Sequence, residues 1–343
     1  MSTIKDVAKT ANVSISTVSR VLNNSGYTSQ DTKDRVYHAV EKLNYQKNLV
    51  AAAMISKQTA TLGLIIPDIK NVFYGDLTRA VEDTAHKLGF NVILCNTDND
   101  LNKEREYIEF LVQKGIDGII FSTPEVEDKN IRELVKAKPD LPIILLGSEV
   151  DGAKVDQVLV DNFQGAYLAT EHLLQLGHQQ IGYISGQPES YSTIERQKGY
   201  ETALKDYGIS PSEENIILDE FKVDSGYKNG KKMLSQENRP TAIFAGNDAI
   251  GVGVYNAARE LGLRIPEDIS VVGFDHSLFS EIVYPKLTTI KTPIQEMCEK
   301  AVQLIVEIAE DKKNFKETIT FEPTLMEQQS TQALSKEVIR KIQ

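Results

Sequence analysis

A small all-α head joined to an α/β body of two doubly wound, parallel-sheet subdomains is the fold class this sequence predicts. Three observations carry it. The first 43 residues hold three short apolar stripes at helical spacing, each opened by a hydroxyl residue. From Thr61 onward, short apolar runs alternate with amphipathic stretches of roughly 12–20 residues, the length of a crossover helix. The chain has 343 residues, too many for one ordinary core, so two or three domains are expected.

The head comes first. Ile4, Val7, Ala8 and Ala11 fall at i, i+3, i+4 and i+7, one apolar face of a first helix. Thr3 with Asp6 has the form of an N-terminal capping pair, and Asn12 tolerates the left-handed backbone of a helix exit. Ser14 can cap a second helix, with Val18, Val21 and Leu22 inward and Ile15, Ser16 and Arg20 outward. After a turn-rich link over residues 24–27, Ser29 opens a third helix with Val36, Ala39, Val40 and Leu43 on one face.

That outward set suits a helix read into the DNA major groove. Arg20 can pair with guanine O6 and N7, Ser16 with several bases, and Ile15 with a thymine methyl. A plain helical hairpin with a solvated face has the same spacing, so charge helps to decide. Net charge is −11, which argues against a nucleic-acid partner until its distribution is read. Residues 1–57 carry eight Lys and Arg against four Asp and Glu, and the rest carries 30 against 45. A basic head on an acidic body directs attraction for phosphate to one end. The excess is small, so binding by paired heads is expected.

Other classes are disfavoured. No run approaches the roughly 18 apolar residues of a membrane span, and the first residues lack the form of a signal peptide, which points to a cytoplasmic protein. Cys95 and Cys298 are unclustered and the five His show no ligand spacing, so no metal or other cofactor is expected. No phosphate loop, Gly-x-Gly-x-x-Gly or Gly-x-Ser-x-Gly elbow follows an apolar run, so the chain does not read as an enzyme.

Nine strands are expected, over residues 62–66, 91–95, 118–121, 142–146, 158–160, 181–184, 216–218, 242–245 and 270–274. Nine suit two sheets better than one. Ligands of such sheets bind beyond the carboxyl ends of the strands. Standing there are Asp68, Asn71, Phe73, Tyr74, Asn96, Ser122, Thr123, Ser148, Asp161, Asn162, Ser185, Asn247, Asp248, Asp275 and His276. Any one of these is more often a helix cap. As a set, amides, carboxylates, hydroxyls and aromatic rings suit a polyhydroxylated ligand, and Arg196 can reach the same cleft.

The segment Thr3-Ile-Lys-Asp-Val-Ala with Val13-Ser-Ile-Ser-Thr-Val-Ser-Arg-Val-Leu-Asn23 resembles the head of LacI/GalR-type bacterial regulators. The likeness continues through Asn71-Val-Phe-Tyr74, Asp161-Asn, Arg196-Gln-Lys-Gly-Tyr200, Asn247-Asp, Ile265-Pro-Glu-Asp-Ile-Ser-Val-Val-Gly-Phe-Asp275 and Leu287-Thr-Thr-Ile. It implies a homodimer on a near-palindromic double-stranded operator, and a periplasmic-binding-protein-like body with an effector between interleaved subdomains. The expected division is a head of residues 1–46 and a hinge of 47–60. A first subdomain of 61–160 with 291–321 follows, then a second of 161–290 with 322–330, and a tail of 331–343.

By the same resemblance Ile15, Ser16 and Arg20 read bases. Thr3, Ser14, Thr17, Ser19, Asn23, Tyr45 and Ala53 complete the DNA-contacting set, and Met54 stands where the family carries an intercalating Leu. Phe73, Tyr74, Arg196, Phe221, Asn247 and Asp275 match effector positions, joined by Ser122, Ser148 and Asp161. Two motifs depart from the family: the hinge reads Ala51-Ala52-Ala53-Met54 without the usual Arg, and the cleft motif reads Asn71-Val-Phe-Tyr. The expected function is a repressor of a sugar-utilisation operon, with inducer and corepressor both open. The alternative is a catabolite-control type global regulator using a protein or purine corepressor.

Overall fold

The computed structural model describes residues 2–22, 25–46, 59–123, 125–309 and 316–334. Asn23, the hinge residues Ala53 and Met54, and the tail beyond residue 334 lie outside the described residues. The chain forms two units, Met1–Thr59 and Ala60–Gln343.

The first unit holds helices α1 (Ile4–Ala11), α2 (Ile15–Leu22) and α3 (Gln30–Lys42). Its local chemistry follows the residues. The Thr3 hydroxyl accepts from the Asp6 amide at 3.4 Å, and the Asp6 carboxylate accepts from the Thr3 amide at 2.8 Å, closing a capping box. Those bonds hold the Asp6 carboxyl below its usual range. Asn12 ends α1 at φ 53°. Ser14 Oγ accepts from the Thr17 amide at 3.1 Å, and Ser29 Oγ from that of Thr32. Val7, Ala8, Ala11, Val18, Val21, Val36 and Ala39 form a core of small side chains.

In the second unit the first sheet is built from β1 (Thr61–Ile66), β2 (Asn91–Asn96), β3 (Gly118–Phe121), β4 (Ile143–Leu146), β5 (Asp156–Val160) and β11 (Thr318–Phe321). Their order is β2-β1-β3-β4-β5-β11 and every pairing is parallel. Helix α4 (Val72–Lys87) and the returning α12 (Ile294–Ala309) cover one face, and α5 (Leu101–Lys114) and α6 (Lys129–Ala137) cover the other. Because both faces are buried, β1, β3 and β4 read as near-continuous apolar runs rather than alternating ones, and in β5 the run is confined to residues 158–160.

The second sheet has the order β7-β6-β8-β9-β10-β12. Its strands are β6 (Ile181–Ser185), β7 (Ile216–Leu218), β8 (Ala242–Ala245), β9 (Ser270–Asp275), β10 (Thr288–Lys291) and β12 (Thr324–Met326), the last antiparallel to β10. Helices α7 (Asn162–Gln175) and α8 (Tyr191–Asp206) pack on one face, and α9 (Val223–Leu234) and α10 (Asp248–Glu260) on the other. The short α11 (Leu278–Ile282) follows β9. Two glycines let these helices touch backbone to backbone. A Cβ at Gly199 stands 2.2 Å from the Phe163 carbonyl oxygen, and one at Gly226 stands 2.2 Å from that of Ile250.

The described residues hold twelve strands where nine were expected, and β10, β11 and β12 are the additions. All three are short and Thr-bearing, so their apolar signal is weak. They matter because the chain changes sheet beside them, between β5 and α7, between β10 and α12, and between β11 and β12. The two sheets are thereby tied by three strands of chain, the geometry of a hinged pair.

Candidate effector cleft and DNA-reading face

The carboxyl ends of both sheets face a shared cleft of about 600 Å³. On the second-sheet side the central group is Arg196 of α8, 6% exposed. Its Nε donates to Asn162 Oδ1 at 2.8 Å, Nη1 donates to the Gly246 carbonyl, and Nη2 donates to Asp275 Oδ1 at 3.5 Å. Its guanidinium lies 3.6 Å from the centre of the Phe274 ring and 5.8 Å from that of Phe221. A buried cation is tolerable only when paired and hydrogen-bonded in this way.

Asp275 ends β9 at φ 103° and His276 follows at φ 56°. Two consecutive side-chain-bearing residues in left-handed backbone are costly, and such a turn persists only where its surroundings over-determine it. Asp248 at the start of α10 does so. One of its oxygens accepts from the Ser277 amide at 2.6 Å and from the Ser277 hydroxyl at 2.9 Å, and the other accepts from Thr289 Oγ1 at 2.6 Å. Burial pushes the Asp275 carboxyl up to about 7, with Arg196 opposing and the Asp248 charge adding to the rise. Burial also raises Asp248, to about 6, against its three hydrogen bonds.

The first-sheet side is built from neutral groups. Asn71 caps α4 by accepting from the Phe73 amide at 3.1 Å, which sets Phe73 and Tyr74 edge to face with ring centres 5.3 Å apart. Ser122 Oγ donates to the Leu146 carbonyl at 2.8 Å and is committed to the fold. The buried hydroxyls of Thr123 and Ser148 have no hydrogen-bond partner among the described residues, although both line the cleft. Buried polar atoms are normally satisfied, so two orphans facing one cavity point to a ligand. A wider outer chamber of about 1110 Å³ adjoins and shares Asn71, Tyr74 and Phe221.

Of the expected effector residues, Phe73, Tyr74, Ser122, Ser148, Arg196, Phe221, Asn247 and Asp275 line this cleft. Asp161 does not. Its carboxylate accepts from the Gln164 amide at 2.8 Å as the cap of α7, and the neighbouring Asn162 faces the cleft instead. Ser190, Tyr191, Ser192 and Met297 line it without having been expected. The first three follow the long turn after β6, a placement that could have signalled them. Met297 arrives on α12, which sequence order does not connect with the site. Among the described residues, no group of His, Cys, Asp and Glu is arranged to hold a metal ion, and no helix is long and apolar enough to cross a membrane.

In the head, Ile15 is 44% exposed, and Ser14, Ser16 and Arg20 are exposed along α2. The Ser14 hydroxyl lies 2.7 Å from that of Ser16 and 2.8 Å from that of Thr17, a hydroxyl cluster at the helix N-terminus. Thr17 and Ser19 are half-buried. Thr3 is exposed, but its side chain is engaged in the capping box. Tyr45 packs half-buried against the head core, so packing is its evident role here. Tyr27, an exposed aromatic in the link before α3, was not among the expected contacts.

Two family models match this chain. One, described as bacterial regulatory proteins of the lacI family, covers residues 3–48, and the other, periplasmic binding proteins and sugar binding domain of the LacI family, covers residues 59–336. The HTH-type transcriptional regulator DegA of Bacillus subtilis is 38% identical over 334 residues, 97% of this chain and 99% of that protein. The lac repressor dimer bound to operator and the anti-inducer ONPF superposes with TM-score 0.86 at 28% identity, covering 97% of this chain and 99% of that one. A LacI family regulator of Enterococcus faecium with bound ribose matches at TM-score 0.72 and 34% identity, covering 80% of this chain and all of that one.

Proposed function

The chain belongs to the LacI family of bacterial transcriptional regulators, and on that premise we propose that it represses a sugar-utilisation operon, binding a near-palindromic operator as a homodimer under the control of a neutral sugar. The charge balance of the cleft carries the ligand class. Arg196 is its one cation, and it is answered by Asp275 with Asp248 directly behind. A phosphorylated sugar or sugar acid would find the cation of this lining already paired and hydrogen-bonded. A neutral polyol donates its hydroxyls to Asp275, bonds the waiting hydroxyls of Thr123 and Ser148, and stacks its C–H faces on Phe73, Tyr74 or Phe221. The ribose bound by the Enterococcus relative supports this reading.

Ile15, Ser16 and Arg20 read bases from α2, and effector binding rotates one subdomain against the other. A thermal-shift screen of neutral pentoses, hexoses and disaccharides beside sugar acids, sugar phosphates and nucleobases tests the ligand class. Response confined to neutral sugars is expected. Response only to an anion or a nucleobase would replace the reading with a corepressor of that class. Titrating the active sugar with and without operator selected from random DNA tests the coupling, which must be reciprocal. Equal affinities would refute it, and the direction of change separates inducer from corepressor. Arg20→Ala should cost about 1–3 kcal/mol of operator discrimination and relax one base position. A uniform loss on all DNA would contradict base reading.

A further inference from the structure

Behind the effector cleft, in the first-sheet subdomain, a second and much smaller pocket is lined by Thr97, Asp100, Glu104, Thr123, Glu125 and Asp128. Glu104 of α5 is 2% exposed and Asp128, the cap of α6, is fully buried. Asn130 donates to Glu104 Oε1 at 3.0 Å, and the Ile131 amide donates to Asp128 Oδ1 at 3.0 Å. The second oxygen of Asp128 has no donor among the described residues.

The charged neighbours do not neutralise this pair. From α5, Arg105 spends its Nε on Asn130 Oδ1 at 3.2 Å. From α6, Arg132 attracts Asp128 but donates to the Glu127 carbonyl at 3.3 Å. Glu125 and Asp100 add carboxylates on the pocket's rim, and Glu189 faces Glu125 from the other subdomain. Two adjacent buried carboxylates cannot both ionise in such surroundings. A proton on Glu104 would give Asp128 the hydrogen bond that its second oxygen lacks.

The turn that carries Glu125 crosses the cleft. Glu125 forms an isolated antiparallel bridge with Ser190, the Val126 amide donates to the Glu189 carbonyl at 3.4 Å, and the Asp151 amide holds the Val126 carbonyl at 2.9 Å. Ser190 lines the effector cleft, and Thr123 lines both that cleft and the small pocket.

We propose that Glu104 and Asp128 share one proton, and that this proton fastens the 125–128 turn as a clasp between the subdomains, making cleft closure sensitive to pH. When the clasp opens, Glu104 meets water and reverts toward its ordinary range near 4.5, whereas in the closed form burial and Asp128 push it up to about 8. The closed form therefore binds the extra proton. Closure weakens as pH rises from about 5 to about 8, by up to about tenfold per unit, and levels off above.

Hydrogen exchange on the full-length protein without effector tests this apart from any assignment of the ligand. Amide protection across 125–128 and 187–192, corrected for intrinsic exchange, should fall by up to about tenfold per pH unit between pH 5 and 8. Glu104→Gln keeps the donor without the charge and should make that protection independent of pH. Asp128→Asn, which still caps α6, should do the same by removing the second carboxylate. The infrared difference between wild type and Glu104→Gln at pH 7 should show one protonated carboxyl band, separate from that of Asp275, which both proteins keep. A wild-type slope retained in both variants, or no slope in the wild type, would overturn the proposal. Protection raised by millimolar magnesium or calcium in the wild type and not in Glu104→Gln would also overturn it, assigning the pair to a cation.

Discussion

The two walls of the effector cleft are built on opposite terms. On the second-sheet wall the charged groups are already engaged: Arg196 has three hydrogen-bond partners, and Asp248 holds the turn after β9 through two hydrogen bonds and β10 through a third. On the first-sheet wall Thr123 and Ser148 hold hydroxyls with no partner among the described residues. One wall is organised around its charges, and the other keeps hydroxyls open toward the cleft. On the proposed function, a ligand that bridges the two would draw in the unsatisfied wall, which has the more bonds to gain.

Breaking the organised wall should have the largest effect. Arg196→Ala leaves Asp275, Asn162 and the Gly246 carbonyl buried without their donor, and should cost about 3–5 kcal/mol of stability in denaturant titration. Arg196→Lys should not restore it, since an ammonium cannot span three acceptors set for a planar fork. A loss below about 1 kcal/mol would show that the wall is not held by this residue.

Asp275 tests the same wall through pH. Its carboxyl is ordinary near 3.8 when unfolded and about 7 when folded, so the folded protein retains a proton that the unfolded chain has lost. Stability attributable to this group therefore falls as pH rises from about 4 to about 7, by up to about 1.4 kcal/mol per unit, and is flat above. Effector affinity runs the other way, because the ionised carboxylate is the better acceptor. Asp275→Asn should remove this group's share of both slopes and leave the share of Asp248 and Glu104, as calorimetry and titration between pH 5 and 8 would reveal, and profiles that keep the full wild-type slope would remove Asp275 from the account.

Two serines sharpen the contrast within the first-sheet wall. Ser122→Ala removes a bond to the Leu146 carbonyl and should cost about 1 kcal/mol of stability with little change in effector affinity. Ser148→Ala removes a hydroxyl with no partner, so stability should hold or rise slightly. Effector affinity should fall by about 0.5–1.5 kcal/mol. Equal behaviour of the two variants would erase the distinction between structural and ligand-facing hydroxyls.

What was legible in the sequence divides along the same line. The head's caps at Thr3, Asn12, Ser14 and Ser29 involve partners within a few residues, and the pattern alone reveals them. Most of the nine apolar runs were legible because a strand covered on both faces must be apolar, while the edge strands β2 and β7 show the same run at partial burial. The Thr-bearing strands β10, β11 and β12 were not, since their burial comes from neighbours rather than from composition. Asp161 and Asn162 show where local reasoning stops. Adjacent residues after a strand look alike in sequence, and the turn of α7 sends one to cap the helix and the other to Arg196.

The sequence by itself determined the helical head with its outward Ile15, Ser16 and Arg20, the two-sheet body, and the polar set at the strand ends. Those follow from periodicity and capping, which act over a turn of helix or a pair of strand residues. Tertiary structure alone decided which hydroxyls stay unbonded, that Met297 enters the cleft, and that Glu104 meets Asp128. Arg196 draws its partners from 34, 50 and 79 residues away, and hydrogen bonds closed over such spans leave no mark on the local pattern.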